Sequence, residues 1–456
     1  MPSTAATDKP VDLLVVGGGI SGLATAWFAH QAGWTVQVLE AAPQAGGKIR
    51  SFHEAGYLVE GGPNSLLASD PSFDTLVAGL GLQAALIEAN AAARRRYVLK
   101  DGRLQALPTS PLAFLRTPLF SPRGKLRLLA EPFIGKARHE ESLAEFVTRR
   151  LGREFLDWAI DPFVSGVYAG DPQRLSVRAA TPKVYALEAE HGSLLRGALA
   201  RMRERQRGLQ TGPAGRMVSF RDGMQTLPAA IAAALGEALA TNTPVEALRR
   251  DATRCLWTAS GPAGQWRARQ VVLAVPAAAA ARLLDGAAAP ALEAIPYPAV
   301  ASVALGFRRD QVAHALDGFG FLIPGRVGLR TLGALFSSTL FPGRAPAGHV
   351  LITAFTGGRR HPELAELSDD ALLEVVLGDL RGPLGLRGAP VFTRLTRWAQ
   401  AIPQYELGHG QRLQQVQEQV ARQPGLHLRA NWLDGISVGD CVRNAARLVT
   451  ELTEGK

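Results

Sequence analysis

The sequence predicts an α/β fold that opens on a parallel βαβ unit, and three observations predict it. A short β-branched apolar run, VDLLVV from Val11, has the composition of a strand buried on both faces. LATAWFAHQAG follows with helical spacing and a stop at Gly33, and TVQVLE then reads as a second strand ending on Glu40. Between the first strand and the helix stand three consecutive glycines, which support neither a strand nor a helix interior.

Those glycines begin a GxGxxG match at Gly17, Gly19 and Gly22, with Ile20 and Ser21 between the last two. In a dinucleotide-binding (Rossmann-like) unit the first glycine allows the tight turn and the second lets backbone approach a pyrophosphate. The third lets the helix pack on the strand, and the helix N-terminus faces the phosphates. Glu40, followed by Ala41, stands where an acidic group bonds an adenosine ribose 2′-OH, which favours FAD or NAD over NADP. Alone, GxGxxG is an ordinary turn; the strand before it, the helix after it and the acid beyond give it weight. Gly46, Gly47 and Lys48 then suit a second wrap around the same pyrophosphate. Gly61, Gly62 and Pro63, with Asn64 after them, suit a turn running close to an aromatic ring system. Read alone, either is simply a turn.

The remaining composition narrows the class. With 456 residues, 47% of them hydrophobic, the chain can bury two or three lobes. A net charge of +10, carried mainly by Arg, fits anionic partners such as carboxylates or a bilayer surface, or else reflects composition bias. Cys255 and Cys441 make neither a disulfide framework nor a Cys-rich metal site, so a reducing, cytoplasmic setting is expected. MPSTAATDKP has no apolar core of a signal peptide and reads as a frayed tail. The longest apolar stretch, from Val271, is interrupted by Pro276 and too short to span a membrane. No HExxH, Walker loop or nucleophile elbow occurs, and no metal is expected. No basic–aromatic module for nucleic acid is present.

Further motifs carry a resemblance. EAAPQAGGKIRSF and GYLVEGGPNSLL resemble the FAD-dependent amine-oxidase-like superfamily. DPFVSGVYAGDPQRLS from Asp161, GFGFLIP from Gly318, LGALFSSTLFPGRAP from Leu332 and AIPQY from Ala401 resemble the oxygen-dependent protoporphyrinogen oxidase family, over nearly the whole chain and in order. The resemblance implies a discontinuous dinucleotide-binding FAD domain (1–90, 215–290 and 393–456). It implies an antiparallel-sheet substrate domain (91–96, 190–214 and 291–392) and a helical lobe over 97–189 that touches a membrane. That lobe mixes Pro breaks, exposed-looking Leu and Phe, and basic residues. The mixture suits an anionic bilayer, on the inner face of the cell membrane, or equally a Pro-rich lobe with an ordinary core.

The resemblance also implies site residues. Arg96 holds a propionate of a porphyrinogen, although a three-Arg run is ordinarily a solvated turn. Leu322, Leu335 and Phe355 wall the macrocycle, or are plain core. Gly166 turns its backbone carbonyl to the reacting edge, or is a turn residue. Val245 meets the adenine side of FAD, Trp398 packs beside the flavin, and Ile436, Ser437 and Val438 contact it. The implied reaction is three two-electron rounds, each a hydride passing from a meso methylene to flavin N5, with dioxygen as acceptor and hydrogen peroxide released. One departure stands out: Arg429 and Ala430 occupy positions where the family has small residues, while Asn431 and Gly435 conform. The rivals are a coproporphyrinogen III oxidase, an amine oxidase or carotenoid desaturase, and a non-catalytic flavin or porphyrin carrier. Oligomeric state is left open, a homodimer included.

Overall fold

The computed structural model describes residues 9–206, 215–284, 286 and 288–455. The tail expected at the N-terminus lies mostly on residues 1–8, and the segment 190–214 ends on 207–214; both stretches lie outside the described residues.

The first strand, Val11–Val16, sits at the centre of a sheet. It runs parallel to Val36–Leu39 on one side and to Gly264–Leu273 on the other. Leu239–Ala240 adds a parallel edge beyond Val36–Leu39, and Leu426–Leu428 pairs parallel with the end of Gly264–Leu273. Leu256–Gly261 and Ala247–Asp251 extend the other side antiparallel. Burial on both faces explains the apolar run from Leu13 to Val16. Leu13 and Val15 enter one core with the helices Ile20–Gln31 and Val438–Glu454, while Leu14 and Val16 enter a second core with Trp257, Trp266 and Trp432. Strands from the start, middle and end of the chain thus share one sheet.

A second seven-stranded sheet is ordered Phe392–Trp398, Val300–Arg308, His349–Gly357, Thr331–Leu335, Gly320–Leu322, Arg96–Lys100, Arg103–Ala106. Its pairs are antiparallel except for Gly320–Leu322 against Arg96–Lys100. One face, with Val303, Leu305, Phe307, Phe321 and Ile352, is covered by the helix Asp369–Leu384.

Three expected boundaries move. The break at 96/97 cuts a strand: Arg96–Lys100 and Arg103–Ala106 form a hairpin inside the second sheet. The turn is Asp101-Gly102, both with positive φ, the two-residue turn whose twist matches a hairpin. The break at 392/393 also cuts a strand, since Phe392–Trp398 pairs along Val300–Arg308. The helix Leu194–Gln206, expected with the substrate sheet, instead joins the helical lobe. The Glu131 carboxylate accepts from the N–H groups of Leu194 (2.8 Å) and Leu195 (3.2 Å) and so anchors its first turn. That lobe has its own core, with Phe146, Leu156, Val164 and Leu175. Among the described residues no helix is long and apolar enough to cross a membrane.

Candidate active site

The three motif glycines each meet a different constraint. Gly17 has φ +106°, and a Cβ there would lie 2.7 Å from the carbonyl oxygen of Ala274 on the neighbouring strand's end. A Cβ on Gly22 would lie 1.9 Å from the carbonyl oxygen of Gly17, so strand end and helix are in backbone contact. Gly19 caps the helix with φ −71°, and a Cβ there would meet nothing within 4 Å. The space a side chain would fill lies directly before the N-terminus of Ile20–Gln31. That helix has no side-chain cap and no acid in its first turn, so its free N–H groups and positive field are available to an anion. Ser21 is buried in the first turn beside Ile20.

The second glycine turn docks on the first. Gly46 donates to the carbonyl of Gly18 (2.7 Å), and Gly47, at φ +60°, faces the Cα of Gly19. Glu40 accepts from the N–H of Gly18 (2.5 Å) and of Ala42 (2.8 Å), which places its carboxylate at the strand end beside Ala41. Its carbonyl accepts from Thr243 (2.8 Å), drawing the segment that carries Val245 to the same end of the cradle. Lys48 is half-buried with its ammonium 5.3 Å from the centre of the Tyr297 ring, and burial lowers its pKa to about 8. A Cβ on Gly62 would lie 1.9 Å from the Lys48 carbonyl oxygen, so the turn at 61–63 runs directly under the Lys48 backbone. Asn64 closes that turn by donating to the Gly62 carbonyl (3.2 Å).

Trp398 joins this assembly to the second sheet. Its indole N–H donates to the Gly61 carbonyl at 2.6 Å from the last residue of Phe392–Trp398. Strand register then decides which side chains share its face. Trp398 is opposite Val300, and Ser302, two residues on, is opposite Phe355. Phe355 is opposite Gly333, Gly333 opposite Leu322, Leu335 opposite Gly320, and Gly320 opposite Arg96. Arg96, Leu322, Leu335, Phe355 and Trp398 therefore stand on one face, the face turned away from Asp369–Leu384. The three wall residues are only half-buried. Gly333 and Gly320 leave bare backbone between them.

The helix Asp161–Tyr168 crosses this face. A Cβ on Gly166 would lie 2.3 Å from Leu322 Cδ2. Asp161 pins the helix start by accepting from Arg360 (2.5 Å) and from the N–H of Gly325 (2.8 Å). Phe163 and Val167, on the same side of this helix as Gly166, remain 44% and 43% exposed. The sequence reading missed both, though they flank Gly166 at helical spacing.

The neighbouring arginines divide. Arg95 is bonded to Asp317 (2.5 Å). Arg96 lies 5.2 Å from the centre of the Phe319 ring and has no ion-pair partner among the described residues. Phe319 was also missed, although it sits within GFGFLIP. Arg429 faces neither solvent nor the cradle: it is buried and gives its guanidinium to Asp434 (2.5 Å) and to the Asn444 carbonyl (3.3 Å). Asp434 also receives Asn444 and Arg447, so the larger residue braces the turn ahead of Gly435. Beyond it, Ile436 packs on the helical lobe's core and Val438 on the first sheet's core, while Ser437 caps the last helix by accepting from Asp440. Their side chains are occupied, and what 436–438 offers is backbone.

A flavin dinucleotide fits these residues. The opening at Gly19 is bare of side chain, a second glycine turn borders it, and a carboxylate stands at the strand end.

Comparison with known proteins places the chain in a family. Residues 20–452 match the family of flavin containing amine oxidoreductases. The chain is 36% identical to a chloroplastic protoporphyrinogen oxidase of Nicotiana tabacum, over 99% of this chain and 88% of the relative. It is 30% identical to the coproporphyrinogen III oxidase of Bacillus subtilis (strain 168), over 98% of each. A crystal structure from Exiguobacterium sp. 255-15, provisionally assigned as a protoporphyrinogen oxidase, superposes with a TM-score of 0.81 at 26% identity, covering 99% of this chain and 100% of that one. The chain belongs to the flavin-containing amine oxidoreductases and, within them, to the porphyrinogen-oxidase family.

Proposed function

We propose that the chain oxidises protoporphyrinogen IX to protoporphyrin IX, with FAD as resident cofactor and dioxygen as acceptor. The observation that carries this reading is the shared face: Arg96, Leu322, Leu335 and Phe355 on one side of one sheet, Gly166 against Leu322, and Trp398 tying the face to the turn at Gly61. A puckered apolar macrocycle with propionates at one edge calls for apolar walls and a cation at the rim. Arg96 supplies a planar guanidinium for a carboxylate, and Arg95 is already engaged with Asp317.

FAD, when bound, supplies the two-electron oxidation that no side chain here provides. The chain binds, orients and shields. Gly17, Gly19, Ile20, Ser21 and Gly22 would cradle the pyrophosphate, with Gly47 and Lys48 across from them. Glu40, Ala41 and Val245 would hold the adenosine. Gly61, Gly62, Pro63, Asn64, Trp398 and the backbone of 436–438 would border the ring. The Gly166 carbonyl would steer the substrate's reacting edge. In this reading the FAD domain comprises 1–90, 215–290 and 399–456, and the substrate domain 91–106 and 291–398, with the helical lobe between.

The lobe also supports contact with an anionic bilayer at the cytoplasmic face. Leu112, Leu115, Leu126, Leu129 and Phe133 are exposed, Phe133 by 85%, and Arg116 and Arg123 stand among them. Light scattering of the purified protein tests whether it also forms a homodimer.

The test is turnover of protoporphyrinogen IX and coproporphyrinogen III side by side, followed by porphyrin fluorescence. Faster turnover of protoporphyrinogen is expected. Preference for the coproporphyrinogen reassigns the chain to coproporphyrin formation. Yellow protein that bleaches with neither substrate anaerobically would mark a carrier.

A further inference from the structure

The stretch Ala401, Ile402, Pro403, Gln404, Tyr405 carries no role in the site above, yet two of its side chains reach both halves of it. Gln404 is fully buried, and its amide donates to the Tyr168 carbonyl (2.8 Å) and to the Ile402 carbonyl (3.0 Å). Tyr168 ends the helix that carries Gly166, and the next residue, Ala169, turns the chain in the left-handed region at φ +48°. Tyr405 is buried too. Its hydroxyl donates to the Asn431 carbonyl and accepts from the Gly435 N–H (3.0 Å), so one oxygen holds both ends of the turn leading into 436–438. Its ring stacks on His409 at 4.4 Å between centres, and His409 bonds the Trp432 carbonyl inside the same turn (3.0 Å).

The stretch itself is anchored by main chain on several sides. Ala401 and Gln404 donate to Pro298 and Pro296, and the Tyr405 carbonyl accepts from Ser176. Two adjacent side chains on a fixed strip of backbone therefore bond the end of the substrate-side helix and the flavin-side turn. A displacement of about 1 Å between reacting groups costs roughly a hundredfold in rate, so such a strip is well placed to set their register.

We propose that Gln404 and Tyr405 are positioning residues: Gln404 registers the Gly166 helix, Tyr405 registers the 436–438 turn, and their adjacency fixes one against the other. The inference rests on the reading that Gly166 borders the substrate and 436–438 the flavin.

Tyr405→Phe keeps the ring on His409 and removes both hydroxyl bonds. It should raise the FAD dissociation constant about tenfold and shift the visible flavin band, while KM for the porphyrinogen stays within about twofold. Gln404→Met removes the amide donors at similar volume. It should raise KM about tenfold and leave FAD affinity and the flavin band unchanged. Tyr405→Phe with wild-type FAD affinity and spectrum overturns the proposal. So do variants that both lower the melting midpoint and change FAD affinity and KM together, which is what plain packing would give. Should Tyr405→Phe not accumulate folded, amide exchange in the wild type decides: a Gly435 N–H exchanging as fast as free peptide overturns the proposal, and protection supports it. Wild-type protein without flavin or turnover sinks the functional reading itself. Flavin-loaded, active wild type with indifferent variants sinks this inference alone.

Discussion

The phosphate cradle and the wall face are built in opposite ways. In the cradle, residues close in sequence do everything with backbone: Gly17, Gly22 and Gly47 are held by positive φ or backbone contact, and Gly19 borders open space. On the wall face, Arg96, Leu322, Leu335 and Phe355 come from four strands of the second sheet, and only strand register unites them. At Gly17 and Gly22 backbone contact leaves almost no room for substitution. A face made of ordinary apolar side chains tolerates many, and its chemistry depends on where they stand. The C-terminal turn lies between these extremes, braced by a buried side-chain network.

Substitutions in the cradle should separate folding from binding. Gly22→Val drives a side chain into the Gly17 carbonyl, so it should cost about 3 kcal/mol or more and give little folded, colourless protein. Gly19→Val meets open space and an ordinary φ. It should fold with a near-normal urea midpoint yet lose flavin affinity by about 100-fold, read from flavin absorbance per chain. Equal damage from both would erase the distinction between the two glycines.

The braced turn should respond to acid. Burial lowers the His409 pKa from 6.5 to about 4. A depressed folded-state pKa means that the neutral ring's contribution is fully present above about pH 6.5 and is lost as pH falls through about 4. Urea titrations should therefore show roughly 3 kcal/mol of stability disappearing over that span, with the loss absent from His409→Gln. Parallel pH curves for the two proteins would show that His409 does not titrate this way.

The smallest effects belong to the wall face. On the proposed reading Arg96→Ala removes ground-state anchoring, and it should raise KM about tenfold with kcat little changed. Arg95→Ala breaks an exposed pair with Asp317, and should leave KM within about twofold and the urea midpoint unchanged. If Arg95→Ala raises KM and Arg96→Ala does not, the two arginines have been assigned the wrong way round.

Legibility followed the same division. VDLLVV, the GxGxxG turn, its helix and Glu40 were all readable because each is dictated by neighbours within a few residues. The Asp101-Gly102 hairpin was equally local, and its signal was present but unread. Arg96, Gly166 and the wall residues had no local signal of their own: a Leu in a strand looks the same facing a core or a cavity. Arg429 could be placed only by finding Asp434 beside it.

The amino-acid order alone determined the cradle, its dinucleotide character and the alternation of strands and helices, because glycine conformation and apolar periodicity act over one or two turns of chain. Only the tertiary structure decided which residues of the second sheet share a face, that Trp398 reaches Gly61, and that Gln404 and Tyr405 grip two distant elements. Those outcomes depend on strand register and on contacts between segments from about 30 to more than 300 residues apart, which no local preference encodes.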